Sequence, residues 1–459
     1  MPTRRDLLKW GSAAVAGAWV DRVIWPLNVR AAGDGTPRGT ARNVIMIEMG
    51  GAISQMDCWD FKETKWTPKD LDVRKSETGV YLSKTLFPRL GDFMPKIGLV
   101  RSMRANEVIH FVGQYHTQTG RALNTAIARE IPAFGSIIAY ELESRRKATD
   151  TFPTYMSTFL TKARAETIGS GFLPTRFTGL DLDPTTVFDS FGGNTEGLSQ
   201  LLEERWKLLE QFATVSDAER KSLGKNASDY RAFYDSARKL QDDERWHKVF
   251  VTSDAEKKRF GEDEFGMGCI LAKNILKADA GTHFVYIYDG DKWDHHSYIF
   301  DRSRGSNHYY TCNRLDKGLT ALLEDLIATP GSTPGKTMLD ETMIVAISEF
   351  GRTPEMNPVA GRDHYRYTYS SLFAGGGVKG GTVVGATNED ASKCTSPGWA
   401  HKEQPYMDNV VATIYSALGI DWTKEISNTP SGRAYQYIQT APVGGGEFIS
   451  DDEIGPLFG

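Results

Sequence analysis

The sequence predicts an α/β domain: a central, mostly parallel sheet flanked by helices. Three observations carry that expectation. Runs such as Asn43-Val-Ile-Met-Ile-Glu48 and Met343-Ile-Val-Ala-Ile347 are apolar almost throughout instead of alternating, as strands covered on both faces require. Between such runs lie segments with apolar residues at helical spacing, Leu315, Leu319, Leu322, Leu323 and Leu326 among them. Strands that alternate with helices build parallel βαβ units. The 459 residues are 40% hydrophobic and 25% charged, the composition of an ordinary globular chain. A chain of this length buries about three quarters of its unfolded surface and needs neither metal nor disulfide merely to fold.

The N-terminus reads as an address. Thr3-Arg-Arg-Asp-Leu-Leu-Lys9 places two adjacent arginines before the short apolar run 10–20, the pattern of twin-arginine export. Val29-Arg-Ala31 offers a small-residue cleavage site, so residues 1–31 are expected to be a signal peptide. Its removal would take the net charge from −5 to −8, because this segment carries five Lys/Arg and two Asp/Glu. Periplasmic or other exported placement follows as an expectation. No basic run marks a nucleic-acid surface, and no apolar stretch is long enough to span a membrane in the mature chain.

Residues 32–41 read as a tether, and 42–459 as one α/β domain. Expected strands are Asn43–Glu48, Ile97–Val100, His283–Tyr288, Met343–Ile347 and Ser371–Ala374. A helix is expected from about Ile109 to Thr119, ended by Gly120, and another carrying Val411, Ile414, Tyr415 and Leu418, capped by Asp408 and ended by Gly419. Residues 195–262 read as a charged helical insertion, with a stripe of Leu198, Leu201, Leu202, Leu209 and Phe212 and capping boxes at Ser216–Glu219 and Ser253–Glu256. Cys58, Cys269, Cys312 and Cys394 show no CxxC spacing, so a zinc knuckle is not expected; an oxidising compartment would permit disulfides in any of three pairings.

In open α/β sheets, function collects at the carboxyl ends of the strands. Four segments place polar residues there. Glu48 ends the first strand. His110 sits in the first turn of the helix ending in Thr119-Gly-Arg121, where free N–H groups favour an anion. Asp289-Gly-Asp-Lys-Trp-Asp294-His-His296 follows the middle strand and mixes carboxylates with imidazoles, a donor set for Zn²⁺ or Mn²⁺; Ca²⁺ would rather have oxygens alone. Ser348-Glu349-Phe-Gly-Arg352 and Gly361-Arg-Asp363-His364 follow the strongest strand. Arg352 or Arg362 could hold an oxyanion, and Arg362–Asp363 also reads as an ion pair fixing the loop. Singly, each segment fits a polar loop as well; together they favour one shared site. His116, six residues beyond His110, faces elsewhere and reads as structural. The glycine run 375–381 lacks a P-loop pattern and reads as a turn.

Several of these segments carry a resemblance. Val100-Arg-Ser-Met103, Thr119-Gly-Arg121, Trp293-Asp-His-His296, Ser348-Glu-Phe-Gly-Arg-Thr-Pro354, Gly361-Arg-Asp-His364, Ala374–Gly381 and Ala412–Gly419 resemble a bacterial family known as domain of unknown function 1501. That family is in turn similar to the alkaline phosphatase and sulfatase superfamily. The resemblance implies that fold, a divalent metal (Zn, Mn or Ca), and a site in which Asp294, His296, Glu349, Asp363 and His364 hold metal. It puts Glu48 at the position of a metal-binding acid, His110 where sulfatases have a Cys or Ser nucleophile, and Arg121 and Arg352 on the substrate. Two departures stand out: no hydroxyl or thiol occupies position 110, and Phe350 replaces a superfamily histidine. Two functions follow: a metal-dependent hydrolase of a sulfate, phosphate or related ester, small-molecule or glycan, or a non-catalytic binding scaffold for a glycan or an envelope protein.

Overall fold

The computed structural model describes residues 29–31, 36–165, 167, 169–191, 203–208, 236–439 and 450–458. Its centre is an eight-stranded sheet. The strands are β1 (Asn43–Glu48), β2 (Ile97–Met103), β3 (Tyr155–Thr158), β4 (Leu180–Leu182), β5 (Phe284–Tyr288), β6 (Thr342–Ile347), β7 (Tyr369–Ala374) and β8 (Val383–Val384). They lie in the order β8-β2-β7-β6-β1-β5-β3-β4. Only β7 runs against its neighbours; the other ladders are parallel.

The five helices that matter here are α1 (His110–Thr119), α2 (Phe134–Leu142), α3 (Glu264–Lys277), α4 (His308–Ala328) and α5 (Met407–Ala417). The two-residue period of the strands divides the core. Ile45 and Ile47, Val285 and Ile287, and Ile344 and Ala346 face α3 and α4, with Leu315, Leu319 and Leu322 against them. Val44 and Met46, Tyr286, and Met343 and Val345 face α2 and α5. Both faces are covered, which is why the central strands read as unbroken apolar runs.

Every strand expected from the sequence is present, though β2 and β7 are longer and β7 is antiparallel. The short strands β3 and β4 give too weak an apolar run to be seen. Helix α1 begins at His110, and Gly120 closes it in the left-handed conformation. Helix α5 departs from expectation: it starts one residue before Asp408, and the Asn409 side chain accepts from the Tyr406 N–H at 2.8 Å as the cap. The Asp408 carboxylate instead receives His116 Nε2 at 2.8 Å, the structural role expected of His116.

Within 195–262, residues 203–208 and 236–241, Glu244–Val249 and Asp254–Phe260 are helical. Ser253 caps the last of these, accepting from the Glu256 N–H. The leucine stripe and the Ser216–Glu219 box lie outside the described residues. So does most of the segment expected to be a signal peptide; Val29–Ala31, where a cleavage site was expected, pairs antiparallel with Lys424–Ile426. Among the described residues no helix is long and apolar enough to cross a membrane.

Candidate metal centre

Strands β6, β1 and β5 are adjacent and parallel, so their carboxyl ends open onto one place. The β1 end turns tightly at Gly50-Gly51. Gly51 has φ of +98°, and a Cβ there would meet the Asp294 backbone N at 2.5 Å. Only a glycine lets this turn pass beneath Asp294. The β5 loop is pinned by Trp293, whose indole donates to Asp289 at 2.8 Å and whose N–H reaches the Gly50 carbonyl. Asp289 in turn pairs with Arg314 of α4 at 2.6 Å.

Four side chains from three segments meet there. The donor atoms of His110, Asp294, His296 and His364 all lie within 4.8 Å of one another. Asp294 Oδ1 is 3.1 Å from His110 Nε2, 3.1 Å from His296 Nε2 and 3.5 Å from His364 Nε2. His296 Nε2 and His364 Nε2 are 2.7 Å apart. The other nitrogen of each ring faces an acceptor. His110 Nδ1 meets Glu349 Oε1 at 2.6 Å, His296 Nδ1 meets Asp363 Oδ1 at 2.9 Å, and His364 Nδ1 meets the Val108 carbonyl at 2.6 Å. In its neutral form each ring therefore carries its proton on Nδ1, as the hydrogen-bond network assigns it, and turns an Nε2 lone pair inward.

Three lone pairs and a carboxylate oxygen gathered at one point repel each other unless a proton or a metal cation lies among them. His110 Nε2 is buried and points at Asp294 Oδ1. The field has the same sign: burial alone would lower the His110 pKa, but Asp294 and Glu349 outweigh it and raise it. Burial likewise works against the Asp294 charge, yet His110, His364 and Arg352 hold its carboxyl far below the ordinary range. Imidazole and carboxylate donors backed by Nδ1 acceptors fit a divalent transition metal.

The residues expected at the site divide. Asp294, His296 and His364 present donors to the cluster, and His110 joins them as a fourth. Glu349 and Asp363, expected as ligands, stand one layer back: each holds the Nδ1 of an imidazole, and Glu349 also accepts from the Gly51 N–H at 2.9 Å. Glu48, expected to be catalytic, lies outside the four-donor cluster. It is fully buried and takes hydrogen bonds from Tyr286 and Gln118. Burial, then the charge of Glu349, pushes its carboxyl well above the ordinary range, which favours the neutral form.

Arg352, expected on the substrate, is buried and turned inward. Its guanidinium bonds the carbonyls of Ala52, Gly51 and Arg362, and it holds Asp294 Oδ1 at 2.7 Å. Arg121 lies beyond the far end of α1, about 15 Å of helix from His110, and stacks on Tyr435 at 3.9 Å. Arg362 does not pair with Asp363; it reaches Asp57, with both side chains fully buried. Phe350 is buried against the His110 and His364 rings, with centroids 5.0 and 4.7 Å apart.

Sequence reading missed Arg164. It lies in the loop after β3, the strand beside β5, and binds Asp291 at 2.8 Å and Asp294 Oδ2 at 3.3 Å. Its side chain is 42% exposed at the mouth of the cluster. The position of β3 next to β5 would have pointed to it, had so short a strand been visible. On the open side stand His296 and Asp363, and Val108, Ile109 and Phe111 flank His110 as exposed apolar residues.

The chain belongs to the family described as Protein of unknown function (DUF1501), whose profile matches residues 41–442. None of the curated proteins matches it. Among solved structures it is similar to the lipoteichoic acid synthase LtaP from Listeria monocytogenes, at 9% identity over 90% of this chain and 78% of that one, with a TM-score of 0.38. It is also similar to the C-terminal periplasmic domain of EcEptC from Escherichia coli in complex with Zn, at 8% identity over 90% and 89%, TM-score 0.38. A third is a protein in the alkaline phosphatase superfamily from Vibrio parahaemolyticus, at 10% identity over 91% and 76%, TM-score 0.37.

Proposed function

We propose that this chain is an exported, metal-dependent hydrolase of a sulfate, phosphate or related ester. The observation that carries the reading is the convergence of three Nε2 atoms and Asp294 Oδ1, each imidazole backed at Nδ1 by an acceptor. His110, Asp294, His296 and His364 would hold the metal. When bound, a divalent ion supplies positive charge to polarise an ester oxygen and to acidify water.

The protein's own residues do the rest. Glu349, Asp363 and the Val108 carbonyl fix ring orientation, and Arg352 keeps Asp294 charged and aimed. With both nitrogens of His110 engaged and no hydroxyl or thiol at that position, the attacking group left is water. Arg164 carries the exposed positive charge at the mouth, suited to steer and hold an oxyanion. The apolar Val108, Ile109 and Phe111 suit the organic half of an ester. Export rests on the Arg4-Arg5 pattern and the apolar run behind it.

The test is turnover of aryl sulfate, phosphate monoester, phosphate diester and phosphonate ester probes by metal-loaded protein. Metal-stimulated hydrolysis that disappears in Asp294→Asn and His364→Ala is expected. A fully loaded protein that turns over none of them sinks the hydrolase reading and favours a non-catalytic scaffold that binds a glycan or an envelope protein, the alternative that the missing nucleophile supports.

A further inference from the structure

A second group of donors lies outside the cluster described above. Cys58, His308 and Cys312 are all buried, and their donor atoms lie within 4.8 Å of one another. His308 and Cys312 are four residues apart on α4, so both project from one face of the helix at its first turns. Cys58 comes from the far end of the sequence, just after the short 3₁₀ turn Gln55–Asp57 that follows β1. The Cys58 and Cys312 sulfurs are 3.8 Å apart, and Cys58 Sγ is 3.4 Å from His308 Nε2.

These separations have a simple meaning. Two thiolates at the tetrahedral zinc–sulfur distance of about 2.3 Å stand about 3.8 Å apart, and a thiolate and an imidazole nitrogen on the same ion about 3.5 Å apart. A disulfide instead requires about 2.05 Å between sulfurs and gives His308 no part to play. All four cysteines are free thiols in the structure. Beside the group stands His295, edge-on to His308 with ring centroids 5.8 Å apart, its buried Nε2 without a partner.

We propose that Cys58, His308 and Cys312 form a separate, thiolate-rich site for zinc. Soft sulfur donors select a thiophilic ion, unlike the nitrogen and oxygen donors around Asp294. Binding deprotonates the two thiols and releases both protons to solvent, with no change of oxidation state. The ion would clasp the loop after β1 to the start of α4. That loop also carries Asp57, which grips Arg362, two residues before His364, so the clasp would steady one wall of the Asp294 cluster. None of the three donors belongs to that cluster, and this site stands or falls independently of the hydrolase reading.

The experiment uses the full chain with the first cluster disabled by Asp294→Asn and His364→Ala. Reduced, metal-free protein is titrated with Zn²⁺ and, as a spectroscopic reporter, with Co²⁺. One equivalent of metal per chain is expected, with thiolate-to-cobalt charge-transfer absorption. Cys58→Ser and Cys312→Ser should each abolish both signals. Cys312→His retains a donor and covers the case in which the serine variants do not fold; it should keep the metal and lose part of the charge-transfer intensity. Absence of bound metal and of charge-transfer absorption in the disabled background overturns the proposal. A Cys58–Cys312 cross-linked peptide from protein isolated out of its own host overturns it as well.

Discussion

Glu349 and Asp363 act on the cluster through the imidazoles they hold, and their replacement separates that role from metal ligation. In Glu349→Gln the amide oxygen can still accept from His110 Nδ1, but the negative charge that raises imidazole basicity is gone. Metal affinity should fall by about 10–100-fold, with the fold intact, in a competition assay against a chelating dye. A complete loss of binding would mean that Glu349 is itself a donor. A second residue-scale expectation concerns His283, which precedes β5 at the end of the sheet opposite the cluster. Burial, then the Arg42 charge, pushes its pKa down from 6.5 to about 4. Between those values the unfolded chain binds the proton that the folded chain refuses. Stability is therefore complete above pH 6.5 and is lost as pH falls through about 4, by at most about 3 kcal/mol. Denaturant midpoints measured from pH 7 to 4 should show that slope in the wild type and a flatter one in His283→Gln.

At the scale of elements, the contact of α1 with the loop after β6 decides where His110 sits. A Cβ on Gly113 would lie 2.9 Å from the Glu349 Cβ and 3.3 Å from the Phe350 ring. The backbones approach so closely because that residue has no side chain. Gly113→Ala should push the helix from the loop, cost about 1–3 kcal/mol in denaturant unfolding, and lower metal affinity by separating His110 from Glu349. Wild-type affinity in that variant would show that the helix start is placed by other contacts. Much of this level was legible in the sequence. The Thr119-Gly120 boundary fixed where α1 ends, and the apolar runs of β1, β5 and β6 identified the three adjacent strands at whose carboxyl ends the cluster lies.

The whole molecule is tied together by buried pairs between distant segments. Arg362 binds both carboxylate oxygens of Asp57, across the loops that follow β1 and β6, with neither side chain exposed. Arg362→Met leaves Asp57 buried and unpaired, and should cost about 3–5 kcal/mol in denaturant unfolding. Adding Asp57→Asn should return most of that loss. An additive double variant would show that the two residues are not coupled. Neither partner was identifiable from local pattern, because 305 positions separate them. The same holds for Cys58 and its partners on α4: spacing along the chain suggested no cysteine site, whereas folding brings Cys58 to a His–Cys pair one helical turn apart.

By itself the sequence determined the α/β class, the central strands, the start and end of α1, and the edge of the sheet at which histidines and acids gather. Those features depend on periodicity and on backbone preferences, which act over a few residues. Only the tertiary structure decided what each polar side chain does once there. Asp294 and Glu349 are both acids just beyond strand ends, yet one turns an oxygen to three imidazole nitrogens and the other holds the back of a ring. Arg352 and Arg164 are both cations beside Asp294, yet one is enclosed by backbone carbonyls and the other faces solvent. The difference lies in distances of a few ångströms between segments far apart in the chain. Hydrogen bonding and charge pairing are strong only at such distances, and no local pattern encodes them.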